Sequence, residues 1–244
     1  MIRFGVDCRS LQDVVGAVAW SRPEAVVNAV GIVKQRPGAA ESIPSLEVNA
    51  LLPHRLAEVC AAAGARLIHL STDCVFSGAK GSYVESDPPD PVDLYGRSKL
   101  LGELDRPHCL TLRTSIVGLE LARKTGLVEW FLAQRGTVRG YTRAIYSGLT
   151  TMEMARALEF FLVHDPGLHG VWNLSSDPIS KHDLLAALSA RLGRTDVDIV
   201  PDGSFVCDRS LDGAALRARS AFRVRGWPEM LDELATLIRE RAGR

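Results

Sequence analysis

Tyr95 and Lys99 are the two residues of this chain whose types and spacing most clearly suggest chemistry. Side chains four residues apart on a helix lie on the same face, one turn from each other. The pKa of a free tyrosine is about 10, too high for ready proton exchange at neutral pH, and a nearby ammonium lowers it. The pair is therefore predicted to act as a general acid or base near neutrality. The alternative is a Tyr/Lys pair on the solvated face of a helix.

Thr72 adds a hydroxyl to this pair. The apolar run from Arg66 to Leu70 is typical of a buried strand, predicted over 66–71, so Ser71-Thr72-Asp73 lies at its carboxyl end. Open α/β sheets bind their ligands at that edge. A hydroxyl there can hydrogen-bond a substrate carbonyl beside the tyrosine. The three side chains together suit proton transfer to a carbonyl oxygen while a hydride reaches the carbonyl carbon.

The elements that must position these residues alternate between strand and helix patterns, which indicates a parallel sheet with helices on both faces. Strands are predicted at Met1–Val6, Ala25–Val30, Arg66–Ser71, Cys109–Arg113 and Val171–Ser175. Helices are predicted from a Ser10-x-x-Asp13 capping box through Trp20, and from Ser45 to Ala63 with a kink at Pro53. Further helices are predicted over Val92–Leu104, from Thr150/Thr151 to Val163, and from a Ser180-x-x-Asp183 cap to a stop before Gly193.

The composition is that of an ordinary globular protein. In 244 residues, 29 Lys and Arg balance 29 Asp and Glu with no basic block, which argues against nucleic-acid binding. The five scattered cysteines indicate reduced thiols and a cytoplasmic location, and no Cys or His spacing predicts a metal site. We expect neither a signal peptide nor membrane association, because there is no apolar run of membrane length.

The stretch LIHLSTDCVFSGAKGSYVESDPPDPVDLYGRSKLLGE, together with VVNAVGIVKQ and TLRTSIVG, resembles the extended short-chain dehydrogenase/reductases. The resemblance is strongest to the dTDP-4-dehydrorhamnose reductase branch of nucleotide-sugar reductases and runs from Val6 to the C-terminus. It implies an α/β fold, a Rossmann-like doubly wound parallel sheet that is N-terminally truncated, with a small C-terminal substrate lobe. Residues 1–115 and 149–176 are assigned to the core, and residues 116–148 and 177–244 to the substrate-binding lobe.

The function implied by this resemblance is reduction, or epimerisation and reduction, at a keto group of a nucleotide-diphospho-sugar in polysaccharide or deoxysugar biosynthesis, with NADPH or NADH as cofactor. Tyr95 is then the proton donor, Lys99 orients it and holds the nicotinamide ribose, and Thr72 polarises the carbonyl. Asn49 matches the asparagine that supports the proton relay, although a polar bridge between helices explains it equally well. A homodimer through the helices of Asn49 and Tyr95 is a family-level expectation.

Further site residues follow from the same resemblance. The implied cofactor-binding residues are Asp7, Asn28, Ala29, Gly31, Ser71, Tyr95 and Lys99, and the implied substrate-binding residues are Asp73, Cys74, Ser115, Arg143 and Arg209. Arginine suits bidentate binding of a diphosphate, but either arginine could instead pair with surface acids. Asp73 either bonds the sugar or fixes its loop. Cys74 and Ile116 stand where rhamnose-type reductases commonly carry tyrosine and tryptophan, which predicts a substrate other than the rhamnose precursor itself.

The sequence departs from the family pattern at its start. Relatives open with a strand, a glycine-rich turn that binds the cofactor pyrophosphate, a helix and a second strand. Here Met1–Val6 fits the third strand, so roughly one βαβ unit of the pattern is missing. We expect a truncated copy of an enzyme; the alternatives are a catalytically silent sugar-nucleotide-binding or regulatory subunit, or an inactive fragment. Met1–Val6 is expected either to pair beside Ala25–Val30 or to stay frayed.

Overall fold

The computed structural model describes residues 2, 4–33, 41–122 and 124–243. Contacts divide the chain into two compact units. Unit 1 comprises Met1–Phe76, Pro88–Arg113 and Asp165–Trp172, and unit 2 comprises Ser77–Asp87, Thr114–His164 and Asn173–Arg244. The assignment of a cofactor-binding core and a substrate-binding lobe to the ranges given above stays a prediction.

The elements are given in chain order. The strands are β1 Ala25–Asn28, β2 Arg66–Leu70, β3 Cys109–Arg113, β4 Ile116–Val117, β5 Gly136–Tyr141, β6 Ala144–Tyr146, β7 Leu149–Thr150, β8 Gly170–Asn173, β9 Ile179–Ser180, β10 Val197–Asp202 and β11 Cys207–Asp208. The helices are α1 Leu11–Ser21, α2 Ser42–Ser45, α3 Leu52–Ala63, α4 Leu94–Leu101, α5 Leu127–Ala133, α6 Thr151–Val163, α7 Lys181–Leu192, α8 Ala214–Arg219 and α9 Trp227–Ala242. A π-helical segment, Leu46–Leu51, joins α2 to α3, and a 3-10 turn lies at Asp73–Val75.

Unit 1 is built on a sheet with the strand order β1-β2-β3-β8. Strands β1 and β3 both pair in parallel with β2, in a register that places Asn28 beside His69 and Leu70 beside Leu112. The carboxyl ends of the three strands therefore meet at one edge. The parallel α/β sheet predicted from the alternating pattern is confirmed.

The core of unit 1 explains why these segments form these elements. Apolar side chains of α3, including Leu52 and Leu56, pack with Val14 of α1 and with Leu67 of β2 in one buried cluster. Each fully buried aliphatic side chain of this kind stabilises the fold by about 1.5–3 kcal/mol relative to its exposed state. Burial of one face of each helix fixes α1 and α3 to each other and to the sheet.

Several predicted helix ends are confirmed. Each is determined by a hydrogen bond or a backbone conformation within a few residues of the helix end. The Ser10 hydroxyl accepts from the Asp13 backbone N–H at 3.3 Å, and the Ser180 hydroxyl accepts from the Asp183 N–H at 3.0 Å. Thr150 caps α6 in the same way. Gly64, at the end of α3, has a φ of +67°, which only glycine adopts without strain.

The helix predicted from Ser45 to Ala63 starts as the π-helical segment and continues as α3, and the kink predicted at Pro53 stays a prediction. Proline has no N–H, so the helical hydrogen bond from position 53 to the Asn49 carbonyl cannot form. Just before it, the Leu52 N–H instead donates to the Glu47 carbonyl, five residues back. Such π segments are frequent at functional sites, and this one contains Asn49.

Two predicted elements differ from the structure. No strand forms at Ile2 or at Phe4–Val6, which are exposed, so neither the predicted strand nor its pairing beside β1 is present there; Met1 and Arg3 lie outside the described residues. The predicted helix over 92–104 is shorter and spans Leu94–Leu101, because Asp93 caps it and Gly102 ends it. Lys34 and Gln35 of the VVNAVGIVKQ string also lie outside the described residues.

Unit 2 has small sheets around its own core. Strand β10 pairs in parallel with β5, β11 with β6, and β4 with β7, while β9 runs antiparallel to β6. Buried side chains of α5, α7 and α9, such as Phe131, Leu188 and Met230, form one cluster.

Candidate functional site

The carboxyl edge of the sheet in unit 1 carries the predicted catalytic residues. Ser71 and Thr72 directly follow β2, and both are buried. The Thr72 side-chain oxygen accepts from the Cys74 backbone N–H at 3.2 Å, which caps the 3-10 turn after it. The Thr72 hydroxyl is thus held at the strand end by its own local turn.

Helix α4 presents Tyr95 and Lys99 to this edge. The Asp93 carboxylate accepts from the Gly96 N–H at 2.8 Å and so starts the helix. Tyr95, in the first turn, is partly buried, and Lys99, one turn later, is only 4% exposed. The prediction that these two residues share one helix, four positions apart, is confirmed.

The Thr72 side chain interacts with the Tyr95 phenol, which links the strand end to the helix. Burial raises the pKa of the Tyr95 phenol; the interaction with Thr72 opposes the rise, and the neighbouring Cys74, Asp73 and Asp93 add to it. The predicted lowering of this pKa by an ammonium is therefore not found here. The phenol is protonated at neutral pH, which suits a proton donor.

The Lys99 amine lies in a buried polar pocket. Its Nζ donates to the Leu70 backbone oxygen at 2.5 Å and lies 3.4 Å from Nε2 of His69. Burial lowers the pKa of Lys99 to about 8, against a raising effect of Glu103. Lysine at this edge therefore changes charge close to physiological pH.

Asn49 is fully buried in the π-helical segment. Its Oδ1 accepts from the Ile32 N–H at 2.8 Å, and its Nδ2 donates to the Ile32 carbonyl at 2.9 Å and to the Ser98 hydroxyl at 3.1 Å. The side chain thus ties the segment after β1 to the helix that carries Tyr95. This is the bridging arrangement that was the alternative to a relay role, and the relay role stays a prediction.

The predicted cofactor-binding residues after β1 lie at the same edge. Asn28 is buried, Ala29 is exposed, and Gly31 is partly buried. A Cβ at Gly31 would lie 3.5 Å from Asn49 Oδ1, an ordinary contact, so space alone does not require glycine there.

Asp7 lies in the segment before α1, and among the described residues its side chain bonds to Arg9 and not to this edge. Its carboxylate accepts from the Arg9 side chain at 2.8 and 3.1 Å. These bonds lower the pKa of Asp7 to about 2, so the side chain is a carboxylate at neutral pH. Its role in cofactor binding stays a prediction.

Three buried side chains of the site were missed by the sequence analysis. Glu103 accepts two hydrogen bonds from Arg113, at 2.9 and 2.7 Å, and a third from the Ser71 hydroxyl at 2.7 Å. His69 contacts both Asn28 and Lys99. The LIHLSTD, LLGE and TLRTS strings contain all three. For His69 and Arg113, the available signal was a charged or titratable residue within an apolar strand.

The predicted substrate-binding residues are divided between the units. In unit 1, Asp73 is buried and accepts from the Thr72 hydroxyl at 3.2 Å, and Cys74 is partly buried. The role of Asp73, either bonding the sugar or fixing its loop, stays a prediction.

Ser115, Arg143 and Arg209 belong to unit 2. Ser115 is partly buried, and its carbonyl accepts from the Leu149 N–H at 2.8 Å. Arg143 is exposed just before β6, and Arg209 is partly buried just after β11. Because β6 and β11 pair in parallel, the two arginines lie at opposite ends of this short ladder.

The residues of unit 1 fit the nicotinamide-ribose half of a dinucleotide. A lysine ammonium has three donor hydrogens, and the Leu70 oxygen takes one of those of Lys99. Lys99 and the backbone around Ala29 would hold this part of the cofactor, at the strand edge where such folds bind nucleotides.

Within the ranges that the structure describes, no helix is both long enough and apolar enough to cross a membrane. In the same ranges, no group of three or more His, Cys, Asp or Glu side chains is placed to hold a metal ion.

A parallel α/β sheet of this kind is the fold of the extended short-chain dehydrogenase/reductases, and Thr72, Tyr95 and Lys99 lie at its carboxyl edge. The family described as the RmlD substrate binding domain matches residues 2–134, more than half of the chain. The chain belongs to this family.

Individual curated proteins are also similar to parts of this chain. A dTDP-4-dehydrorhamnose reductase from Sinorhizobium fredii is 37% identical over 119 residues, 47% of this chain and 40% of that protein. The methionine adenosyltransferase 2 subunit beta of Xenopus laevis is 35% identical over 102 residues, 40% of this chain and 30% of that protein. The chain thus matches less than half the length of these curated relatives.

Solved structures show the same fold. A dTDP-4-dehydrorhamnose reductase of Clostridium acetobutylicum superposes with a TM-score of 0.84 at 21% identity, covering 96% of this chain and 88% of that one. The enzyme of that name from Bacillus anthracis, in complex with NADP, gives a TM-score of 0.81 at 20% identity, covering 94% and 86%. At these identities the likeness concerns the fold alone.

Proposed function

We propose that this chain is an NAD(P)-dependent reductase of a keto group in a nucleotide-diphospho-sugar, of the dTDP-4-dehydrorhamnose reductase type. The observation that carries the proposal is that helix α4 presents Tyr95 and the buried Lys99 to the end of β2, where the Thr72 side chain interacts with the Tyr95 phenol and the Leu70 carbonyl accepts from Lys99. The names of the reductase relatives and the NADP complex of a structural neighbour support the same assignment.

The residues divide the proton chemistry between them. NADPH or NADH, when bound, supplies a hydride to the carbonyl carbon of the sugar. The Tyr95 phenol gives its proton to the carbonyl oxygen, and burial keeps that phenol protonated until it is needed. The Thr72 hydroxyl binds the oxygen as negative charge develops on it. Lys99, which changes charge near physiological pH, is suited to return a proton to the phenol.

The substrate class rests on the family and on two groups of residues. Arg143 and Arg209 are proposed to bind the diphosphate, and Asp73, Cys74 and Ser115 to contact the sugar. Cys74, in place of the tyrosine of rhamnose-type reductases, favours a keto sugar other than the rhamnose precursor itself. A cytoplasmic location and a homodimer through the helices of Asn49 and Tyr95 complete the proposal.

A second candidate function is that of a silent, sugar-nucleotide-binding or regulatory subunit. The observation that favours it is the 35% identity to a protein named as the beta subunit of methionine adenosyltransferase 2. A chain of this kind would bind its nucleotide ligands without transferring hydride between them.

Turnover separates the two candidates. The full chain is incubated with NADPH or NADH and a series of dTDP-linked 4-keto sugars, and loss of the reduced nicotinamide absorbance is followed. A reductase loses turnover by a factor on the order of 10²–10⁴ in Tyr95→Phe, because the general acid is removed. Tyr141→Phe, which removes an exposed phenol of unit 2, is the matched control. Equal rates for wild type and Tyr95→Phe would contradict the proposal.

A further inference from the structure

His69 is a buried titratable side chain to which the proposed reaction gives no role. It lies on β2 with no solvent exposure, between Asn28 of β1 and Lys99 of α4. Its Nδ1 is 3.1 Å from Asn28 Nδ2, and its Nε2 is 3.4 Å from Lys99 Nζ.

The hydrogen bonds of Asn28 determine which ring nitrogen of His69 carries the proton. Asn28 Oδ1 accepts from the Val30 backbone N–H at 3.2 Å, which directs the Nδ2 amide hydrogens toward the imidazole. Nδ1 of His69 must then accept, and a neutral imidazole whose Nδ1 accepts carries its hydrogen on Nε2. Burial and the charge of Lys99 lower the pKa of His69 well below its ordinary value, so the ring is neutral.

This tautomer places a donor hydrogen opposite the Lys99 amine. An ammonium has only donor hydrogens, so an N–H directed at it opposes the charged form. A neutral amine has a lone pair that can accept from Nε2–H. The Leu70 carbonyl accepts a hydrogen from Lys99 in either state, so the imidazole distinguishes the two states and the carbonyl does not.

Other charged or titratable groups act on the same pocket. Glu103, after α4, favours the charged lysine, although its carboxylate is already bonded to Arg113 of β3 and to Ser71. His54 of α3 opposes protonation of His69. Asp73, Cys74 and Asp93 interact with Tyr95. Of these groups, His69 is the one with a ring nitrogen beside the Lys99 amine.

We propose that His69 is a positioning residue that acts through Lys99: held by Asn28 as the Nε2–H tautomer, it shifts Lys99 toward the neutral amine. The consequence for catalysis rests on the proposed function, because the effect of His69 on Lys99 sets the pH range in which Lys99 can exchange protons with Tyr95. The effect of His69 on Lys99 itself requires neither substrate nor cofactor.

Nuclear magnetic resonance of the full chain tests the tautomer directly. With ¹⁵N-labelled histidine, the two ring nitrogens of His69 are assigned by loss of their signals in His69→Gln. The expected result is a protonated Nε2 and an unprotonated Nδ1, unchanged across the neutral pH range. A hydrogen on Nδ1, or a ring that is charged at neutral pH, would overturn the proposal.

The effect on Lys99 is measured by titrating its side-chain ¹³C signal, assigned with Lys99→Met. Glutamine at position 69 offers an oxygen that can accept from the ammonium, so His69→Gln should raise the titration midpoint of Lys99 by about one unit. His108→Gln removes an imidazole that bonds the Ala57 carbonyl and should leave the midpoint unchanged. An unchanged midpoint in folded His69→Gln would also overturn the proposal; if that variant does not fold, the wild-type tautomer decides.

No substrate or cofactor enters either measurement. A failed reductase assay therefore leaves the His69 inference standing, and a failed tautomer experiment leaves the reductase assignment standing.

Discussion

Gly96 lies directly against the backbone oxygen of Cys74: a Cβ added at Gly96 would come 2.2 Å from that oxygen and 2.9 Å from Cβ of Pro91. Both neighbours are fixed, one as backbone and one as a proline ring. The absence of a side chain at position 96 is thus what allows the first turn of α4 to reach the turn after β2. That approach brings Tyr95 to Thr72.

Gly96→Ala should destabilise the protein by ~1–3 kcal/mol, because the helix must move away from the turn, and this outweighs the better helix propensity of alanine. Chemical denaturation measures the loss. Gly167→Ala is the control, because a Cβ there meets nothing within 4 Å. Equal unfolding free energies for the two variants would show that the close approach at Gly96 is unimportant.

Glu103→Gln should be strongly destabilising. The Glu103 and Arg113 side chains are 8% and 7% exposed, so loss of the carboxylate leaves a buried guanidinium without its counter-charge, at a cost of about 3–5 kcal/mol. The control is Glu58→Gln, which removes an exposed partner of Arg106 and should change stability little. Equal losses of unfolding free energy in the two variants would show that burial of the Glu103–Arg113 pair does not contribute to stability.

Protonation of Glu129 at acidic pH should lower the stability of unit 2. Hydrogen bonds from the Arg241 side chain hold the pKa of Glu129 below its ordinary value of 4.5, and the Glu120 N–H contributes a further bond. Because the pKa is lower in the folded state, this stabilisation is complete above pH 4.5 and is lost as the pH falls through the folded value.

The comparison is between wild type and Glu129→Gln. The difference in their unfolding free energies should shrink as the pH falls from 6 toward ~3. A difference that stays constant over this range would show that the charge of Glu129 does not contribute.

Sequence reasoning succeeded where the determinants are local. The caps at Ser10, Thr150 and Ser180 were predictable because a hydroxyl and a backbone N–H three residues later suffice. The apolar run ending in Ser71-Thr72 likewise indicated a buried strand and an edge for ligands.

Three-dimensional burial was the information that the sequence lacked. Burial raises the pKa of Tyr95, where a neighbouring lysine had suggested the opposite. The Lys99 amine itself bonds the Leu70 carbonyl. Lys99 lies on helix α4 and Glu103 just after it, whereas their hydrogen-bond partners Leu70 and Arg113 lie on strands that are distant in sequence or separately formed. The segment Met1–Val6 has a strand-like composition, but no strand forms in its described residues.

Hydride transfer itself tests the central claim most directly. NADPH carrying deuterium at the transferable position of the nicotinamide is mixed with the full chain and a dTDP-linked 4-keto sugar, and the sugar product is analysed by mass spectrometry. We predict one deuterium on the former carbonyl carbon with wild type, and a rate lower by a factor on the order of 10²–10⁴ with Tyr95→Phe. A sugar recovered unreduced and unlabelled, although both ligands bind, would contradict the reductase assignment and identify a silent binding subunit.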